Sequence, residues 1–204
     1  MKNITNITIE SIKNGELQNE LPEFYELKNV FENNSWHHET TFEHILDVLS
    51  EYEKLINNTK FDYLNVNLDN NSKINLLKVA ILLHDISKNN TLQKTADDNT
   101  TSFPGHEKDG AIKAKNILQR FDFTENEIDF ITSIIKNHGR PHEILGNREN
   151  YIQLFNDLKN EIPSIYKETL VLAMVDTIGS KLKQNDEEDY NFRINSYKKI
   201  LELI

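Results

Sequence analysis

The sequence predicts a single all-α domain, a helical bundle over residues 1–204 with its core at about 21–183 and a closing helix at about 187–204. Three observations predict it. Apolar residues recur at helical spacing in one segment after another, no alternating run is long enough for a sheet, and caps and prolines punctuate the segments. A length of 204 residues suits one hydrophobic core.

The elements follow in order. Pro22 in a first turn opens a short helix over 22–31. A second, over 41–56, carries the stripe Ile45, Val48, Leu49, Tyr52, Leu55 and Ile56, and Asn57-Asn58 closes it. Ser72 caps a third over 73–87, whose middle, Val79-Ala80-Ile81-Leu82-Leu83, is apolar nearly all round and so should be the central buried helix. Polar residues over 89–102, including Asp97-Asp98, read as a long loop of the kind that often serves as a lid. A fourth helix spans 106–121. The fifth starts at Thr124 with Glu127 as a capping box and stops at Gly139-Arg140-Pro141. Further helices are expected over 148–160 and 165–183, separated by Pro163, and the amphipathic 187–204 is expected to pack back on the same domain.

Composition narrows the function. A net charge of −10 argues against a protein that coats long nucleic acid, yet leaves room for a small phosphorylated substrate, because a metal overrides the global sign locally. With no cysteine, any metal must be held by His, Asp or Glu. No apolar run approaches the ~20 residues that span a bilayer. No basic, apolar secretory start is present, so a cytoplasmic protein is expected, with no membrane partner and an oligomeric state that the sequence leaves open.

The chemistry concentrates in ionisable residues where burial is expected. His84-Asp85 ends the most apolar helix, where unpartnered ionisable groups are costly. Neighbours in mid-helix cannot face one spot, but at a helix end the backbone can turn both side chains toward one ion. A cap or a hydrogen-bonded pair would also account for the dipeptide. Asp176 interrupts the run from Leu170 to Gly179 and needs a cation or strong donors, a buried ion pair being the alternative. His44 lies beside the stripe of the second helix, where a plain core histidine is the commoner case. His106 opens the fourth helix after Phe103-Pro104-Gly105, and His138 closes the fifth, either as ligands or as partners of the helix dipoles. Four imidazoles and two carboxylates suit Fe, Mn, Ni, Co or Zn, with Mg also compatible, and six ligands suffice for two ions with a bridging carboxylate.

The ordered pattern His44…His84-Asp85…His106…His138…Asp176 on a helical chain resembles the HD-domain superfamily of metal-dependent phosphohydrolases. Leu21-Pro22-Glu23, His38-Glu39 through Leu46, and Gly105-His106-Glu107 look like the HD region attached to bacterial tRNA nucleotidyltransferases. Nothing resembles the nucleotidyltransferase head, so CCA addition is not implied. The resemblance implies that His44, His84, Asp85 and Asp176 hold a first divalent metal and that His106 and His138 serve a second. It further implies hydrolysis of a phosphomonoester or phosphodiester of a nucleotide-like small molecule. Asp85 and Lys88 are the expected catalytic groups, and Lys88, Arg140 and Lys181 the cations near phosphate, although each of the three also reads as an ordinary dipole partner or surface charge. His37, His38 and His142 could border the pocket, but without a ligand constellation of their own they are expected to face solvent. A di-iron oxygenase on the same ligands, or a regulatory module that keeps its metal without catalysis, are the alternatives.

Overall fold

Helices begin where the sequence supplies caps. In the computed structural model, which describes residues 4–95 and 100–202, Thr40 and Thr124 form capping boxes with Glu43 and Glu127, and Ser72 accepts a hydrogen bond from Asn75 N–H. In chain order the helices are α1 (Ile9–Lys13), α2 (Pro22–Tyr25), α3 (Thr41–Leu55), α4 (Lys73–Leu83), α5 (Lys88–Thr91), α6 (His106–Leu118) and α7 (Glu125–Asn137). They continue as α8 (Arg140–Gly146), α9 (Tyr151–Glu161), α10 (Tyr166–Gly179), α11 (Leu182–Asn185) and α12 (Glu187–Glu202). Two 3₁₀ turns, Glu26–Asn29 and Thr59–Leu64, complete the helical inventory of the described residues.

The all-α reading holds, with local corrections. Two antiparallel hairpins occur, β1 (Asn67–Leu68) with β2 (Asn71–Ser72) and β3 (Gln93–Lys94) with β4 (Thr101–Ser102); two-residue strands are too short to leave a periodic signal. The expected lid loop is therefore α5 and a hairpin, and Asp97-Asp98 lies outside the described residues. Pro141 does more than end a helix. It stands in the first turn of α8, where its missing N–H costs nothing. The third helix stops at Leu83 instead of running to 87, because the chain tightens into i→i−3 bonds, Ile86 N–H to Leu83 O and Lys88 N–H to Asp85 O. The helix expected over 165–183 breaks after Gly179, where Ser180 is extended.

The core is one connected cluster built on α3, α4, α7 and α10. Leu76, Leu77 and all residues from Val79 to Leu83 are buried, which makes α4 the central helix as its composition demands. Helix α12 packs on α10 and α11 through Ile194, Tyr197 and Ile200. Glu127 is buried, and its second role is to accept hydrogen bonds from Asn70 N–H, Asn71 N–H and the Asn71 amide, tying the first hairpin to α7. Among the described residues no helix is long and apolar enough to cross a membrane.

The approach of α10 to α3 depends on Gly179. A Cβ there would lie 2.8 Å from Val48 Cγ2 and 2.9 Å from Val48 N, and a backbone atom cannot rotate away. Gly179→Ala is expected to cost about 1–3 kcal/mol as α10 is levered off α3. Thermal unfolding measures this, and a midpoint equal to wild type would contradict the tight contact.

Candidate metal centre

Five helices bring their ends or buried faces to one point. His44 projects from the buried side of α3, and His84-Asp85 follows α4 in the tightened turn. His106 begins α6 immediately after Gly105, whose φ of 77° lets the chain turn sharply into the helix. His138 caps α7, and Asp176 lies in α10. All but His106 and Asp176 are fully or almost fully buried, and those two are largely so.

The contacts divide around Asp85. Its Oδ2 is 3.2 Å from His84 Nε2 and 3.8 Å from His44 Nε2, while Asp176 Oδ1 is 2.8 Å from His44 Nε2 and 3.8 Å from His84 Nε2. Asp85 Oδ1 faces the other way, 3.3 Å from His106 Nε2 and 3.8 Å from His138 Nε2, and those two nitrogens are 3.3 Å apart. Ligand atoms each about 2.1 Å from one ion sit roughly 3.0–4.2 Å from one another, so the contacts of both groups, 2.8–3.8 Å, are close to the spacing of a coordination shell.

Hydrogen bonding supports the same orientation. The Nδ1–H groups of His84, His106 and His138 donate to the carbonyls of Ile81 (2.7 Å), Phe103 (2.8 Å) and Ile135 (2.6 Å). This turns each Nε2 toward the centre, the usual outer support of a metal-binding histidine. His44 Nε2, His84 Nε2 and both Asp85 oxygens are buried and, among the described residues, meet one another, His106, Asp176 and Lys88 as charged neighbours without a well-aligned hydrogen bond. Such atoms are costly unless a cation satisfies them, so the donor set fits divalent metal. His44, His84 and Asp176 form one metal-competent group, and His84, Asp85 and His138 another.

A second ring of residues holds the ligands. Lys88, buried, pairs with Asp85 Oδ2 at 2.9 Å and with Glu32 at 2.9 and 3.0 Å, and Glu32 also accepts from Thr41 Oγ1. Lys88 is therefore no free dipole cation. Burial opposes its charge, but Asp85 and Glu32 hold its proton more tightly than usual. Glu39 accepts from His37 Nδ1 at 2.8 Å and lies 3.9 Å from His44 Nδ1. His142 Nε2 donates to Asp176 Oδ2 at 2.9 Å, while its Nδ1 is 3.2 Å from Tyr197 Oη of α12.

These contacts correct several expectations. His37 is buried and His142 only partly exposed, because a carboxylate claims each; His38 is exposed, as expected. The structure does not bring Arg140 or Lys181 to the site. Arg140 pairs with Glu161 and Asn137, and Lys181 with Asp47 at 3.0 Å. Glu32 and Trp36 carried no signal in the sequence, and Glu39 entered only as part of the segment that begins at His38. The adjacent His37-His38-Glu39 triplet could have drawn attention, but Glu32 sits in a stretch with no pattern.

Above the ligands lies a cleft of about 260 Å³, walled by Trp36, His37, Lys88 and His142 and rimmed by Glu107 and Glu143. The Glu107 carboxylate packs over Gly139, where a Cβ would approach it to 2.6 Å.

Protonation follows the charges. Burial opposes ionisation of Asp85, but the charges of His84 and Lys88 hold its carboxyl well below the usual range. Asp176 is also held low against burial, by the hydrogen bond from His142 and by His44 beside it. Burial, with His84 and His106 nearby, drives His138 down to about 3, so its ring is neutral at pH 7. His84 moves oppositely. Burial disfavours its charge, but Asp85 and Asp176 outweigh burial and raise it to about 9 without metal. A raised histidine pKa stabilises the metal-free fold fully below the unfolded value of about 6.5, and that contribution is lost as pH rises through about 9. Metal must displace this proton. Uptake of Mn(II) at pH 7.5 is therefore expected to release close to one proton at His84 and to strengthen as pH rises from 6.5 to 9. Calorimetry in buffers of different ionisation enthalpy counts that proton, and zero release would contradict the assignment.

A family model described as HD domain matches residues 41–178, more than half of the chain. No curated protein matches the sequence.

Proposed function

Because the chain belongs to the HD-domain superfamily of metal-dependent phosphohydrolases, we propose that it hydrolyses a phosphomonoester or phosphodiester of a small, nucleotide-like molecule at a two-ion centre. His44, His84, Asp85 and Asp176 would hold one ion, and His106, His138 and the second oxygen of Asp85 the other. The observation that carries this reading is the division of Asp85, whose Oδ2 faces His44 and His84 while Oδ1 faces His106 and His138.

Divalent ions bound there supply Lewis acidity, which makes water a nucleophile near neutral pH and polarises phosphoryl oxygens. The protein's own groups supply orientation. Carbonyls of Ile81, Phe103 and Ile135 aim three imidazoles, and His142 holds Asp176. Lys88 holds Asp85 between the two histidine groups. Its ammonium is already committed to two carboxylates, so it acts as a positioning residue more than as a phosphate grip.

The cleft adds a constraint on substrate. Lys88 is the one Lys or Arg among its described lining residues, and Glu107 and Glu143 stand at its rim. With Arg140 and Lys181 engaged elsewhere, charge on the substrate beyond one phosphate meets no further Lys or Arg among the cleft's described lining residues. A panel with Mn, Co, Ni or Mg tests the proposal. Nucleoside monophosphates, 2′,3′-cyclic phosphates or simple phosphomonoesters should be turned over, with kcat/KM above that for dinucleoside polyphosphates. No turnover of any phosphoester, accompanied by oxygen uptake on some substrate, would overturn the reading in favour of an oxygenase.

A further inference from the structure

A second, larger cavity of about 500 Å³ lies against the opposite side of α10. Its apolar wall is formed by Leu55, Phe61, Met174, Ile178 and Leu201. Met174 and Ile178 stand two residues before and after Asp176. Two residues turn an α-helix by about 200°, so the face that lines this cavity is the reverse of the face that presents Asp176 to the metal centre. The volume falls in the range of small-molecule sites, which are typically apolar with a few polar groups that set orientation.

The charge around this cavity is the reverse of the molecule's. The chain carries −10 overall, yet Lys60, Lys167 and Lys198 line this one cavity, with Glu202 the single acidic residue among its described lining. Glu202 pairs with Lys60 at 3.1 Å, but both side chains are mostly exposed, so the pair is weak and readily exchanged for another anion. The Lys167 ammonium lies 4.9 Å from the centre of the Tyr63 ring, which keeps it near the apolar wall. A neutral apolar ligand would gain nothing from the Lys60 and Lys198 ammonium groups, and a small hydrophilic anion would leave the wall wet.

We propose that this cavity binds a small amphipathic anion, with an apolar body against Phe61, Met174, Ile178 and Leu201 and one carboxylate or phosphate head at Lys60 and Lys198. The site is independent of the metal centre's chemistry, since none of its lining residues is a ligand there.

Titration calorimetry of the full chain with decanoate, below its micelle concentration, is the test. One molecule should bind per chain. Decanol, which keeps the body and loses the charge, should bind at least 10-fold more weakly. The surface variant Lys60→Glu/Lys198→Glu should lose at least 10-fold in decanoate affinity, and Leu201→Trp, which fills the cavity, should abolish binding. The charge variant alters only exposed groups, so it tests the site even if the tryptophan variant does not fold. Failure of decanoate to bind, or equal affinity for decanoate and decanol, would overturn the proposal. So would cosedimentation with phosphatidylglycerol vesicles without binding of free decanoate, which would assign the lysines to a membrane surface instead.

Discussion

Asp85→Ala is expected to purify with little or no bound metal, while its fold survives by circular dichroism. Asp85 is the one residue whose two oxygens face both histidine groups, so its removal takes a ligand from each half of the centre at once. His84 also loses the charge that most raises its pKa, and Lys88 keeps Glu32 as its remaining carboxylate partner among the described residues. Hydrolytic kcat/KM is expected to fall at least about 10²–10³-fold, the scale of losing one charge-stabilising group from an active site. Asp85→Asn separates the causes. It keeps shape and removes charge, so metal content near that of Asp85→Ala would assign the loss to ligand charge. Elemental analysis of both proteins is the measurement, and full metal content in both would sink the ligand assignment.

Lys88→Met is expected to be the most destabilising single change near the site. Glu32 is fully buried and Asp85 nearly so, and both face the Lys88 ammonium at about hydrogen-bond distance. Breaking a buried pair by removing one partner costs about 3–5 kcal/mol, because a charge is left without compensation. For a chain of this size that corresponds to a fall in the unfolding midpoint on the order of 10 °C. Metal should restore part of the loss, since it answers Asp85 but not Glu32. In the wild type, burial opposes the charge of Glu32 but Lys88 outweighs it and depresses its pKa, so its contribution is present above the ordinary carboxylate value and fades as pH falls. Without Lys88 burial prevails and Glu32 takes up a proton more readily, so the variant's deficit should shrink in acid. Glu32→Gln added to Lys88→Met should recover stability, and a double-mutant cycle reads that coupling. Additive effects of the two changes would remove Glu32 from this network.

Three of the residues that converge, His84, Asp85 and Asp176, were legible because each breaks a local rule, while His44, His106 and His138 gained weight only as members of the ordered pattern. Asp176 inside an apolar run and His84-Asp85 after the most apolar helix violate the avoidance of buried charge within a few residues of sequence. The capping boxes of α3 and α7 were legible because both partners lie three residues apart. Pro141 was ambiguous, since one proline can both follow one helix and begin another.

The rest depends on distance along the chain. Glu32 is separated from Lys88 by 56 positions and His142 from Asp176 by 34, so nothing local marks them as supports of the ligands. Arg140 and Lys181 looked available to a phosphate until the packing supplied Glu161 and Asp47 as partners. The sequence by itself determined an all-α chain and the order of six metal-competent side chains, because helical period, capping and misplaced charge act over a few residues. Only the tertiary structure decided which oxygen of Asp85 faces which histidines, which ammonium groups are already neutralised, and where the second cavity opens. Those outcomes belong to contacts between helices, whose geometry no short stretch of chain contains.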